Sequence, residues 1–148
     1  MTYLPDVNVW IALTSDRHIH HTIASKWLQS VAEDQIAFCR ITELGFLRLL
    51  TNARVMSEDV LSASEAWAVY DEWRADSRVI FLAELANFSG HWSRIGRAIQ
   101  GGPNAWTDAY LGVFAEHVDA TLVTFDRKFS APTGGSITTL GGGNQDVP

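Results

Sequence analysis

Asn104-Ala105-Trp106-Thr107-Asp108, read together with Val123-Thr124-Phe125-Asp126 downstream, decides the fold. Gly101-Gly102-Pro103 stops whatever precedes the first stretch, and Thr107 is a capping residue for a helix running to about His117. The run Ala120 to Thr124 is apolar and β-branched, as a buried strand requires. Asp108 therefore falls where a helix starts, and Asp126 where a strand ends. Acids at such junctions are held at the rim of a sheet by regular structure on one side.

The same alternation runs through the rest of the chain. Thr2-Tyr3-Leu4 is a short strand closed by Pro5-Asp6, and Val7 to Leu13 carries the chain into a helix. A second helix spans about Thr22 to Ala32, with Ile23, Trp27, Leu28 and Val31 on one face. Ile36-Ala37-Phe38-Cys39 is a strand. Thr42 caps the next helix, whose apolar stripe is Leu44, Phe46, Leu47 and Leu50, and Thr51-Asn52 ends it. Ser62 and Glu65 have capping-box spacing and open a helix to about Ala75, with Trp67, Tyr70 and Trp73 near one face. Val79 to Leu82 is a strand, Phe88 to Ile99 a helix, and Ser136 to Leu140 an edge strand. Short strands alternating with helices predict one α/β domain over residues 1–140, with a mainly parallel sheet and right-handed crossovers. The Gly-rich, polar segment 141–148 reads as a disordered tail.

Composition bounds the function. The 148 residues carry six tryptophans and 47% hydrophobic residues, enough for a core. No apolar run approaches the roughly 20 residues that span a bilayer. The N-terminus has no export signal, so the expected location is the cytoplasm. Cys39 is the single cysteine, which excludes an internal disulfide. A net charge of −6 argues against binding nucleic acid by bulk charge. It does not exclude a nucleic-acid enzyme whose acids are gathered at one metal site.

Sites in open parallel sheets form outside the carboxyl ends of the strands. Asp6 follows the first strand, Glu43 lies in the first helical turn after the second, and Asp126 follows the strand ending at Thr124. Asp108 is less forced by topology; the glycines and proline before it bring its helix start back to the same edge. Each acid alone fits a cap or a turn. Together in one cleft they would repel, and a divalent cation removes the conflict. Oxygen ligands without a Cys or His set suit Mg²⁺ or Mn²⁺ and predict metal-dependent phosphoryl chemistry.

Four segments carry a family resemblance. They are Leu4-Pro5-Asp6-Val7-Asn8-Val9-Trp10, the run from Arg40-Ile41-Thr42-Glu43 to Asn52, Asn104 to Leu111, and Val123-Thr124-Phe125-Asp126-Arg127-Lys128-Phe129. In order and spacing, from Thr2 to about Leu140, they resemble the PIN domain, and within it the VapC group of toxin ribonucleases. The resemblance implies an α/β/α sandwich and a Mg²⁺- or Mn²⁺-dependent endoribonuclease. It places Asp6, Glu43, Asp108 and Asp126 on the family's acidic positions. Asp6 and Asp108 would hold the metal, with Glu43 and Asp126 contributing directly or through water. Asn8, Asn104 and Thr124 match polar positions that support the acids. Lys128 departs from the pattern, standing where many relatives have glycine. The resemblance further implies a homodimer and a cognate antitoxin whose C-terminal segment lies across the cleft.

Given an RNA substrate, Arg40 and Arg127 are candidate phosphate contacts, and Trp106 a candidate stacking platform for an unpaired base. Transfer-RNA anticodon loops and ribosomal loops both fit. His18, His20 and His21 lack the closed ligand set of a zinc site and read as a polar loop with the first turn of a helix. Two other functions compete. Asp6-Val7-Asn8 has a faint likeness to the nucleophile motif of haloacid-dehalogenase-like phosphatases, but Lys26 and Lys128 are the only lysines and neither precedes a paired-acid motif. A non-catalytic RNA- or protein-binding module of the same fold would be marked by an eroded acidic set, and the set here is complete.

Overall fold

The computed structural model describes residues 1–129, 131–132 and 134–141; the tail expected at 141–148 falls, beyond Gly141, outside the described residues. Strand β1 (Thr2–Pro5) leads into helix α1 (Val7–Thr14), and α2 (His21–Ser30) precedes β2 (Gln35–Phe38). Helix α3 (Arg40–Leu50), the short α4 (Ala53–Met56) and a 3-10 turn at Ser57–Asp59 come before α5 (Ala63–Ala75) and β3 (Val79–Phe81). Helices α6 (Phe88–Gly96) and α7 (Ala105–His117) precede β4 (Thr121–Thr124) and β5 (Ile137–Thr139). The strands form one parallel sheet in the order β3-β2-β1-β4-β5.

Both sheet faces are covered, as parallel sheets require. Successive residues of a strand point to opposite faces, so Ile36 and Phe38 enter one core and Ala37 and Cys39 the other. The first core is closed by α1, α2, α3 and α5, around Trp10 stacked on Phe38 with ring centroids 3.8 Å apart. The second is closed by α6 and α7, through Phe88, Leu111 and Phe114. This is the α/β/α sandwich.

Topology then fixes where the acids go. All strands are parallel, so their carboxyl ends share one edge of the sheet. A crossover helix runs antiparallel to the strand it feeds and starts at that edge. Helix α7 feeds β4, so Asp108 is forced to the carboxyl edge as firmly as the acids that follow strands.

Helix starts differ from the sequence reading. Helix α3 begins at Arg40, and Thr42 acts from inside the first turn. Its hydroxyl accepts from the Cys39 N–H at 2.9 Å and donates to the Cys39 carbonyl at 3.1 Å. Helix α7 begins at Ala105 rather than at Thr107, which puts Asp108 one turn in. Ser62 and Glu65 do form the capping box, at 3.2 and 2.9 Å. Leu44, Trp67 and Ile23, which the sequence places on the apolar faces of their helices, are exposed. The turn of helix at residues 53–56 has no periodic apolar pattern to announce it.

One close approach sets the distance between α1 and α3. A Cβ on Gly45 would stand 2.6 Å from Cγ2 of Val7, the residue after Asp6. Val7 is β-branched and cannot swing aside. Gly45→Ala should lower stability by about 1–3 kcal/mol through overpacking, against the roughly 1 kcal/mol that alanine's helix propensity would add. In a Val7→Ala background the loss should largely vanish. Urea unfolding of the four proteins checks this; an unchanged midpoint for Gly45→Ala alone would mean that the two helices separate freely.

Candidate metal centre and cleft

Asp6 caps α1, its Oδ1 accepting from the Val9 N–H at 3.0 Å. Its Oδ2 accepts from the Thr124 hydroxyl at 2.6 Å. The same hydroxyl accepts from the Asp126 N–H at 3.0 Å, and Asp126 Oδ1 accepts from the Lys128 N–H at 2.8 Å. Thr124 is fully buried at the end of β4. A single hydroxyl thus ties the carboxyl ends of β1 and β4 together and orients two acids.

Charge accumulates here. Burial pushes the Asp6 carboxyl above its ordinary range, the Thr124 and Val9 hydrogen bonds pull it back in part, and the Asp108 charge raises it again. Asp108 is likewise raised, by burial and then by Asp126. None of the ion pairs among the described residues involves Asp6, Asp108 or Asp126.

Glu43 is placed differently. It is buried on α3, bridged to Arg40 and close enough to the Tyr70 hydroxyl to affect its titration. Among the described residues no three His, Cys, Asp or Glu side chains draw together as a ready-made ligand group. The donor set fits a hard cation held by one or two carboxylates and several waters, which is how Mg²⁺ binds. It does not fit a closed, all-protein cage. Oxygen donors without thiolate or imidazole exclude a structural zinc arrangement at this edge.

A cavity of about 870 Å³ opens beside Asp108 and Asp126, between α6, the start of α7 and the segment after β4. Ile95, Ile99, Ala109 and Phe129 give it apolar walls, and Lys128 stands at its rim. Phe129 closes the fourth family segment in the sequence, but nothing in its spacing or in that of Ile95 and Ile99 marks a cavity wall, so the sequence reading assigns them no lining role. Asn8, Asn104 and Trp106 are exposed, Trp106 meeting Trp92 edge-on at 6.3 Å. Arg127 donates to the Gly141 carbonyl at 2.8 Å, so part of its guanidinium is already engaged. His20 stacks on Phe125 at 4.6 Å and His18 lies near both, a packed loop rather than a ligand set.

The PIN-domain family model matches residues 3–134. The chain belongs to the PIN-domain family. Ribonuclease VapC41 of Mycobacterium tuberculosis is 36% identical over 132 residues, which cover 86% of this PIN domain and 90% of the relative. The fold is that of VapBC2 from Rickettsia felis, solved bound to a promoter DNA fragment, with a TM-score of 0.68 at 15% identity over 95% of this chain and 99% of that one. It is also that of Mycobacterium tuberculosis VapC20, described as a sarcin-ricin loop cleaving toxin, with a TM-score of 0.63 at 19% identity over 87% and 93% of the two chains.

The electrostatics of this PIN domain give a signed expectation. A carboxyl raised in the folded state contributes stability that is fully present below the unfolded value of about 4 and is lost as pH rises through the folded value. Asp108→Asn removes that loss. In EDTA, its stability relative to the parent should therefore improve from pH 4 to pH 7.5. Asp6→Asn should stay within about 0.5 kcal/mol of the parent at neutral pH, because asparagine caps a helix as well as aspartate. Urea titrations across this pH range check both; a large loss for either variant at neutral pH would return that residue to a structural role.

Proposed function

We propose that this chain is a Mg²⁺- or Mn²⁺-dependent endoribonuclease and the toxin of a toxin–antitoxin pair. The observation that carries the reading is the group Asp6, Asp108 and Asp126, the first and last oriented through Thr124 and all three left without a cationic partner among the described residues. The name of the 36%-identical relative supports RNA as the substrate class. The haloacid-dehalogenase-like alternative falls with the family assignment.

Asp6 and Asp108 would hold the ion, with Asp126 reaching it directly or through water. Glu43 would join once its bridge to Arg40 opens. A bound divalent ion lowers the pKa of a water and spreads charge from the phosphate oxygens. The protein's own part is positional. Thr124 and the Val9 N–H fix the Asp6 carboxylate, the Lys128 N–H fixes Asp126, and the cavity beside them admits a nucleotide. Lys128 and Arg40 offer positive charge at the two sides of the acids, where a phosphate would pass. Asn8 and Asn104 supply exposed amides near the start of α1 and α7.

A ribosomal or transfer-RNA loop suits a site of this kind, because single-stranded loops can splay bases into a cleft. The antitoxin and homodimer readings draw on family likeness. Leu44 on α3 and Trp67 on the adjoining α5 are exposed apolar side chains that a protein partner would cover. No helix among the described residues is long and apolar enough to cross a membrane, and we place the protein in the cytoplasm with its RNA.

Cleavage of single-stranded RNA should stop in EDTA and return with Mg²⁺ or Mn²⁺, while circular dichroism stays unchanged. Asp108→Asn should lower kcat/KM by at least about 100-fold, the scale expected when several kcal/mol of charge stabilisation is removed. Undiminished cleavage in EDTA would sink the reading.

The antitoxin should bring an Arg or Lys to the same carboxylates, since a guanidinium can satisfy two oxygens and replace the ion's charge. Calorimetry at constant ionic strength should then give weaker antitoxin binding in saturating Mg²⁺, and reciprocally weaker Mg²⁺ binding in the complex. Equal affinities with cleavage still blocked would mean that the partner covers the RNA path without touching the acids.

A further inference from the structure

A second, smaller pocket of about 290 Å³ opens at the same carboxyl edge, beyond the end of β3. Arg40, Phe81, Leu82, Glu84, Tyr110 and Phe114 line it. Adjacent strands lie 4.7–4.9 Å apart, so β3 is about 10 Å from β1 and its Asp6, with only β2 between. The pocket is within reach of a nucleotide neighbouring the one at the acids.

Three of its lining residues are aromatic. Tyr110 and Phe114 lie nearly parallel, 12° apart, with centroids separated by 5.9 Å. Phe81, at the end of β3, lines the same pocket, with the Arg40 guanidinium 4.7 Å over its ring. The polar groups are one carboxylate and one guanidinium, and they do not pair with each other. Arg40 bridges to Glu43, and Glu84 accepts from the Tyr110 hydroxyl at 2.7 Å. Each is thus held in place by a partner of its own, with hydrogen-bonding capacity left over. Arg40 has further N–H donors, and Glu84 has unused lone pairs. The Tyr110 hydroxyl is held protonated by burial and by Glu84, so it remains the donor that orients this carboxylate.

An acceptor and a donor lining one pocket together with aromatic rings narrow the choice of ligand. It is a flat ring with hydrogen-bond donors on one edge and acceptors on another. Guanine has N1–H and the N2 amine on its Watson–Crick edge and O6 with N7 beside it. The first pair matches a carboxylate, and the second is the pair that arginine reads in two-point contact. Adenine and cytosine each offer the carboxylate one amine, and uracil one ring N–H. Contact with the half-buried Tyr110 and Phe81 rings would hold any of them; only guanine uses both polar groups in full.

We infer that the Arg40–Glu84–Tyr110 pocket is a base-recognition subsite that takes an unpaired guanine of the RNA next to the cleaved bond. The inference rests on the ribonuclease reading and adds a specificity determinant to it. Arg40 and Glu84 are the reading residues, and Tyr110 positions Glu84.

The test is fluorescence anisotropy with the full chain and labelled uridine octamers carrying one central guanosine, inosine, adenosine or cytidine. Ca²⁺ replaces Mg²⁺, and a gel confirms that the RNA is intact. The guanosine octamer should bind about tenfold more tightly than the adenosine one, within the range set by a good two-point base contact. Inosine, which lacks the N2 amine, should fall between them. Glu84→Gln, at an exposed position where folding is not at stake, should erase the difference, bringing the guanosine octamer down to the affinity of the adenosine one. Tyr110→Phe should weaken the preference without abolishing it. Equal affinity for guanosine and adenosine, a preference for cytidine, or a guanosine preference that survives Glu84→Gln would each overturn the subsite. Indifference to guanosine with Mg²⁺-dependent cleavage of the same octamers would overturn the subsite alone. Failure of every octamer to bind would take down the ribonuclease reading and the subsite with it.

Discussion

The buried hydroxyl of Thr124 is the interaction on which the cleft depends. It donates to Asp6 at 2.6 Å and accepts from the backbone of Asp126 at 3.0 Å, so both its hydrogen-bonding roles are used across two strands. A valine would keep the shape of β4 and leave the Asp126 N–H without its acceptor. Asp6 would then keep its burial but lose the strongest influence opposing it. The carboxyl would be pushed further from ionisation, and a protonated carboxyl is a poor ligand. The polarity of one side chain inside the sheet would therefore be coupled to how readily the rim takes up the proposed cation.

The sheet edge divides into two electrostatic regimes. Around β1 and β4, the acids lack cationic partners among the described residues and raise one another's affinity for protons. Around β2 and β3, every acid is engaged: Glu43 by Arg40, and Glu84 by Tyr110. The first regime stores unfavourable charge that a bound cation would relieve. The second is balanced and pre-oriented, the condition for reading a neutral ligand by hydrogen bonds. With an overall charge of −6, attraction for a polyanion cannot come from the whole surface. It must be local, and Arg40 and Lys128 lie on opposite flanks of the acids.

Fold class was legible because the evidence for it is periodic and redundant. Strand residues alternate in and out, turn residues punctuate them, and the order of elements follows. Helix starts were less legible. Thr42 and Thr107 look like caps, yet each sits at the third helical position; the Thr42 hydroxyl serves its helix start from inside, while α7 starts without a side-chain cap. Exposure of Leu44, Trp67 and Ile23 could not be read either, since a helix face that a partner would cover has the same composition as a core face. The convergence of Asp6, Asp108 and Asp126 on one edge followed from parallel topology. The pairing of Glu43 with Arg40 did not, because it depends on side-chain direction within one turn of helix. The pocket at Glu84 was invisible for the same reason: Arg40, Glu84 and Tyr110 come from three separate elements, and no spacing in the chain links them.

Arg40 connects the two regimes. Its guanidinium bridges to Glu43, lies over Phe81, and lines the pocket that contains Glu84. While Arg40 holds Glu43, the fourth acid is compensated, and the proposed cation site would have three carboxylates to draw on. A base that engages Arg40 from the pocket side would compete for the same donors and loosen that bridge. Glu43 would then be free to turn toward the ion. Base recognition at β3 and completion of the acidic set at β1 would thus be linked through one side chain, without movement of the backbone. The coupling runs in both directions by thermodynamic necessity, because an ion that draws Glu43 away also releases Arg40 for the base.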